Sequence, residues 1–230
     1  MDPDERIEYV AKHTKVIRSP KQALATFGVT TVEYYLVTDP VYSDLVSQHK
    51  ETVVREGRVI AEKPKLVTPS YLVSIEGFSS HAQSYLEKLM REAPNSLGLY
   101  YTYKNESREL SIVSEPPEVV IEKLVDQLDQ AQDTLTGIIR GVDELWDVSL
   151  MKFISQLTEY SIKSNITEFA NRGLLGIDDC GIVNYARHTI EHLFEQVGRN
   201  PAKVAELKME LDRWGLFPEY EDRFLSLFRK

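Results

Sequence analysis

Residues 114–147 read SEPPEVVIEKLVDQLDQAQDTLTGIIRGVDELWD, and the periodicity assigned to this stretch decides the fold. Ser114 before Glu115-Pro116-Pro117 reads as a helix start, because a first-turn proline lacks an N–H that has no intrahelical partner anyway. Advancing about 100° per residue from Ile121 puts Leu124, Leu128, Leu135, Ile139, Val142 and Trp146 on one broad face. Glu118, Glu122, Asp126, Asp129, Asp133, Asp143 and Asp147 fall on the opposite face, with Gly137 and Gly141 between the two. The spacing predicts one amphipathic helix of about 30 residues and ~45 Å, bent near the glycines.

That helix would be strongly acidic. Nine acids between Glu115 and Asp147 face only Lys123 and Arg140, a net −7 out of −9 for the whole chain. The opposite bias lies between Lys50 and Lys65, where five bases and three acids give +2. Asp126, Asp129 and Asp133 on the stripe are therefore candidate partner-binding residues. Arg55 and Arg58 are the basic candidates, facing the acids within one molecule or across a dimer.

On the N-terminal side the pattern mixes strands and helices. Pro20 to Gly28 reads as a short helix, and TTVEYYLVTDP from Thr30 alternates as a strand does. TVVREGRVIAE reads as a hairpin turning at Glu56-Gly57, and LGLYYTYKNESRELSIVSE as a second hairpin turning near Asn105. KLVT between Pro64 and Pro69 suits an edge strand, SYLVSIE a further strand, and SSHAQSYLEKLMREA a helix. On the C-terminal side there is no strand pattern. SLMKFISQLTEY, ITEFANR, IVNYARHTIEHLFEQV, PAKVAELKMELDRW and PEYEDRFLSLF read as helices, with Gly173, Gly198 and Gly215 near their ends. The expected architecture is α+β: a mixed lobe with a largely antiparallel sheet over residues 1–112, and an all-helical lobe over 113–230 opened by the long acidic helix.

Three motifs bear on chemistry. His188-Thr189-Ile190-Glu191-His192 resembles the H-x-x-E-H of inverzincin-type zinc peptidases, which implies His188 and His192 as ligands and Glu191 as general base. The helical wheel opposes a metal there: Ile182, Ala186, Ile190, Leu193 and Val197 form the apolar stripe, leaving the motif on the wet side, without a dry pocket. Residues 150–175 read as helix, turn at Asn165, helix, and resemble winged-helix sequences around Gly173-Leu174-Leu175. Acids outnumber bases there and no basic wing follows, so nucleic acid is a disfavoured partner. Cys180 follows Asp178-Asp179, whose charges oppose a thiolate.

Tyr34, Tyr35, Tyr71, Tyr100, Tyr101 and Tyr103 lie on expected strands and could line a ligand pocket, although aromatic strands more often fill a core. No phosphate-binding glycine loop and no nucleophile elbow is found, and no cofactor is expected. A single cysteine, an acidic start and the absence of a long apolar run are read as a soluble, cytoplasmic chain without a membrane partner. The sequence thus points first to a binding or regulatory protein acting through protein–protein contacts, with a protein partner or a homo-oligomer. Behind it stand an enzyme with a tyrosine-lined pocket in the first lobe and nucleic-acid binding through residues 150–175.

Overall fold

The computed structural model describes residues 2–42, 51–67, 75–76, 78–85 and 98–228. Its fold is α+β. Helix α1 (Pro3–His13) and strand β1 (Lys15–Arg18) precede β2 (Thr30–Thr38), β3 (Thr52–Ala61), β4 (Lys65–Val67) and β5 (Ile75–Glu76). After a helical segment at 80–85 come β6 (Gly98–Tyr100), β7 (Tyr103–Val113), α2 (Pro117–Gln130), β8 (Thr136–Arg140) and α3 (Trp146–Asn171). Helices α4 (Asn184–Arg199), α5 (Val204–Arg213) and α6 (Phe217–Ser226) complete the chain. The six-stranded sheet has the order β1-β8-β2-β3-β7-β5, and β4 pairs with β6 in a separate two-stranded sheet. β2–β3, β3–β7 and β1–β8 are antiparallel, whereas β2–β8 and β5–β7 are parallel, so the sheet is mixed.

The long helix expected from Ile121 to Trp146 does not exist. Helix α2 stops at Gln130, and Gln132 takes a left-handed φ of 52°. The Asp133 N–H reaches the Leu128 carbonyl (2.9 Å) and the Gln132 N–H reaches Asp129 (3.1 Å), the paired bonds of a Schellman end. The Asp133 carboxylate then accepts the N–H groups of Leu135 (3.0 Å) and Thr136 (2.7 Å), turning the chain into β8. Strand β8 lies between β1 and β2, with Ile138 and Ile139 fully buried. Gly137 is there for clearance: an ideal Cβ would fall inside van der Waals distance of the Phe153 ring on α3.

Neither expected hairpin forms: 52–61 is the single strand β3, and the second stretch holds β6 and β7, with Asn105 inside β7 rather than in a turn. Tyr34 is the cross-strand partner of Gly57, and a Cβ on Gly57 would meet the Tyr34 ring and sit 2.8 Å from the Glu106 carbonyl oxygen. Gly57 therefore makes room in the middle of β3 and is not a turn. Asn105 is buried within β7 and accepts the Tyr34 hydroxyl at 3.1 Å. Residues 20–28 form bends rather than a helix. The Leu24 N–H bonds Ser161 Oγ (2.9 Å), and the Thr26 hydroxyl donates to the Asn165 side-chain oxygen (3.0 Å). Helix α1 and strand β1 were not anticipated from the sequence.

Asn165 opens no second helix, because α3 runs unbroken from Trp146 to Asn171. Asn165 is 1% exposed, and its side-chain NH2 donates to the Tyr101 hydroxyl at 2.6 Å. The helix-turn-helix geometry expected at 150–175 is absent. Gly173 and Gly215 have positive φ and end helices as expected, whereas Gly198 lies inside α4. KLVT contributes β4; of SYLVSIE only residues 75–76, and of the following helix only 80–85, are among the described residues.

Contacts divide the chain into two compact units, Met1–Asn165 and Ile166–Lys230, with the boundary inside α3, whereas the sequence pattern suggested 112/113. The first unit holds one core. Tyr34, Leu36, Val59, Ile139 and Tyr103 on one sheet face pack with Val148, Leu150, Met151, Phe153 and Leu157 of α3. Helix α2 lies over β2 and β8 on the other face, where Val37 and Ile138 are fully buried. The second unit has its own core, built from Ile190, Leu193, Phe194 and Val197 of α4, Leu207 and Leu211 of α5, Leu216, and Phe224 of α6. The described residues include no helix long and apolar enough to cross a membrane.

Candidate functional site

β2 and β8 run parallel and side by side, and both end near the start of α3. In open sheets the carboxyl ends of parallel strands leave a crevice, because the chain departs from them in different directions. Here β2 leaves toward β3 and β8 leaves toward α3. Three side chains converge at this point. Arg55 on β3 donates to Asp143 at 2.5 Å, and the Thr38 hydroxyl at the end of β2 donates to the same carboxylate oxygen at 2.8 Å. Arg55 also reaches the Thr38 hydroxyl at 3.3 Å, and its guanidinium lies over the Trp146 ring, 5.6 Å from the centroid. The Arg55 and Asp143 side chains are only 16% and 14% exposed. Beside them Arg140 pairs with Asp39 and donates to the carbonyls of Val37 (3.4 Å) and Gly141 (3.3 Å). Buried Asp147 accepts the Ser79 N–H at 2.8 Å.

The register continues this site onto the sheet. Arg55 is opposite Leu110 and Val53 is opposite Ile112, so all four side chains share one face. Val53 is buried, yet Leu110 is 57% and Ile112 54% exposed. Among the described residues β5 pairs with Tyr103 and Lys104, and no strand borders 106–113 on that side. The arrangement is a strip of exposed aliphatic surface on the part of β7 beyond its described pairing with β5, with a tethered guanidinium and an indole beside it. Such a strip offers dispersion and desolvation to a partner and one fixed cation for orientation.

The residues singled out in the sequence are distributed differently. Arg55 does meet the acidic stretch, but at Asp143 rather than on α2. Asp129 and Asp133 bind Arg18, which is 9% exposed and also donates to the carbonyls of Asp133 (2.7 Å) and Thr136 (2.9 Å). That cation fastens β1 to the α2–β8 turn. Asp126 is exposed on α2. Arg58 points to the other sheet face and bonds Glu106 at 2.7 Å, which holds the Glu106 carboxyl below its ordinary range. On that face Glu56 lies directly opposite Glu109, and burial followed by the Glu109 charge raises its pKa.

Tyr34, Tyr100, Tyr101 and Tyr103 are buried in the core, whereas Tyr35 is half-buried on the other sheet face. Tyr103 pairs its hydroxyl with Thr158 and Tyr101 accepts from Asn165; burial pushes Tyr103 far up and Tyr101 up to about 12. Tyr34 is likewise raised by burial, and Tyr71 lies outside the described residues. In the second unit, His188, Glu191 and His192 are exposed opposite the buried face of α4. Glu191 bonds Arg223 at 2.8 Å, and a His192 ring nitrogen meets Gln196 at 2.9 Å. Among the described residues, no group of three or more His, Cys, Asp or Glu is placed to hold a metal ion. Cys180 is exposed, and Asp178 caps its loop by accepting the N–H groups of Cys180 and Ile182 at 2.9 Å each. The Ile182 N–H, then Arg187, keep the Asp178 pKa low.

Sequence reasoning missed Asp143, Thr38, Leu110 and Ile112 as a group. The alternation in Glu109-Leu110-Ser111-Ile112 shows an amphipathic strand, but that its apolar side is exposed follows from tertiary placement, the described pairing with β5 lying at Tyr103 and Lys104. Comparison with protein-family models, curated proteins and solved structures returned no match.

Proposed function

We propose that the chain is a non-catalytic binding or regulatory module acting through protein–protein contacts, with the Leu110, Ile112 and Arg55 surface as its contact site. The observation that carries this reading is the exposure of two aliphatic side chains, 57% and 54%, on the same sheet face as a guanidinium held in place by Asp143. Full burial of such a side chain is worth roughly 1.5–3 kcal/mol, so covering the exposed half of each contributes ~1 kcal/mol. Together they supply about 2 kcal/mol, or roughly a 30-fold change in Kd. The acidic stripe of α2 is secondary, since Asp129 and Asp133 already hold Arg18. These contacts would be made in the cytoplasm, the compartment expected of a chain with one cysteine.

The test compares the parent with a chain carrying Leu110→Lys and Ile112→Lys, both made in cells and sized in the native state. The parent should migrate in a complex and the double variant as a 26.4 kDa monomer. A monomeric parent, or a variant that keeps the complex, would remove the proposal.

A further inference from the structure

We infer that the occupant of this surface is a second copy of the chain, paired antiparallel along β7 about a two-fold axis at Ser111. The inference rests on the reading above and specifies its partner. A two-fold axis perpendicular to a sheet preserves its faces, so strand residues can lie opposite one another only in registers that keep side chains on the same side. An axis at Glu109 would set Glu109 against itself, and like charges directly opposite destabilise a strand pair. An axis at Leu110 would set Ile112 against Arg108, the extra residue where β7 shifts register against β3 between Glu56 and Gly57.

An axis at Ser111 places Leu110 opposite the partner's Ile112 twice, joining four exposed aliphatic side chains into one cluster. Glu109 then faces the partner's Val113, and no charge meets its like. The irregularity at Arg108 and the Arg108–Glu33 ion pair guard the preceding part of the edge, as bulges and charges do in natural sheets. Beyond them 110–113 reads Leu-Ser-Ile-Val, which carries no charge. Among the described residues, the uncharged part of the edge therefore coincides with the register that sets no like charges opposite one another.

The test uses the purified full chain with Cys180→Ser, to which either Ser111→Cys or Glu109→Cys is added. In the Ser111 register two Ser111→Cys thiols lie directly opposite, within the roughly 4.4–6.8 Å Cα separation that a disulfide bridges. The two Glu109→Cys positions are offset by four residues, about 14 Å along the strand, although they share a sheet face with Ser111. Mild oxidation should link Ser111→Cys chains into a dimer at least tenfold faster than Glu109→Cys chains. Sedimentation of the parent should give twice 26.4 kDa, with Leu110→Lys weakening association by at least tenfold. Equal or absent crosslinking at the two positions, a monomeric parent, or a dimer indifferent to Leu110→Lys would overturn self-pairing. The wider reading survives such a result if the complex formed in cells is still lost in the double lysine variant, so the two failures are separable.

Discussion

Asp143→Ala removes the carboxylate that holds both Arg55 and Thr38. Breaking a buried ion pair from one side costs about 3–5 kcal/mol, because the other charge is left without compensation, whereas an exposed pair is worth about 0–1 kcal/mol. With side chains 16% and 14% exposed, the Arg55–Asp143 pair belongs near the buried limit. Scaling by the buried fraction gives ~2.5–4 kcal/mol, and the remaining contacts of Arg55 with Thr38 and Trp146 favour the lower end. Urea unfolding followed by fluorescence measures this directly. Trp146 lies against Arg55, and Trp214→Phe leaves it as the sole tryptophan of the chain, reporting on the first unit alone. Arg55→Met should cost a similar amount, while Arg55→Met with Asp143→Ala should recover at least ~1 kcal/mol relative to the sum of the two. An Asp143→Ala cost below about 1 kcal/mol, or strict additivity, would mean that the pair is a solvated surface contact and that the site is not organised as described.

Gly137→Ala should destabilise by about 1–3 kcal/mol, because the new methyl meets the Phe153 ring; in an exposed helix the same change would stabilise by about 1 kcal/mol, so the sign of the shift in Tm separates strand from helix. Asn165→Ala should cost roughly 2–4 kcal/mol in chemical denaturation, since it strands the buried Tyr101 and Thr26 hydroxyls; a loss of only about 1 kcal/mol would fit a helix cap instead. Glu56→Gln should raise stability at neutral pH. A carboxyl whose folded pKa lies above its ordinary value binds more protons in the native state, so its penalty is full above the raised pKa. The gain from glutamine should therefore fade as pH drops through that window toward the ordinary carboxylate pKa, and melts showing a gain that grows on acidification would contradict the assignment.

The α+β class and most helices of the second unit were legible because their signals are local. Ala186, Ile190, Leu193 and Val197 recur at helical spacing, and all four are buried on one face of α4. Gly173 and Gly215 marked two Schellman ends for the same reason. The third such end carries Gln132, a residue with no special preference for positive φ, so nothing in the sequence announced that α2 stops there. Once the stop was missed, Leu135, Ile139, Val142 and Trp146 continued the helical phase by coincidence. Gly57 and Asn105 misled differently. Each is a turn former by itself, yet one clears space for the Tyr34 ring and the other accepts its hydroxyl, and both roles depend on strands far apart in sequence. Arg55 meets the acidic stretch at Asp143 rather than at the singled-out Asp126, Asp129 or Asp133, because β8 enters the sheet and carries the chain to Asp143.

Photo-crosslinking from single positions shows whether another protein docks on the apolar strip of β7. Benzoylphenylalanine would replace Ile112 in one full-length chain and Asp126 in another, and both would be irradiated in living cells. Ile112 lies on the proposed contact surface, and Asp126 stands on the acidic stripe of α2. Position 112 should give a discrete adduct, at twice 26.4 kDa if the partner is a second copy and at another mass if it is a different protein, and position 126 should give none. An adduct from 126 alone, or from neither position, would contradict docking on the strip.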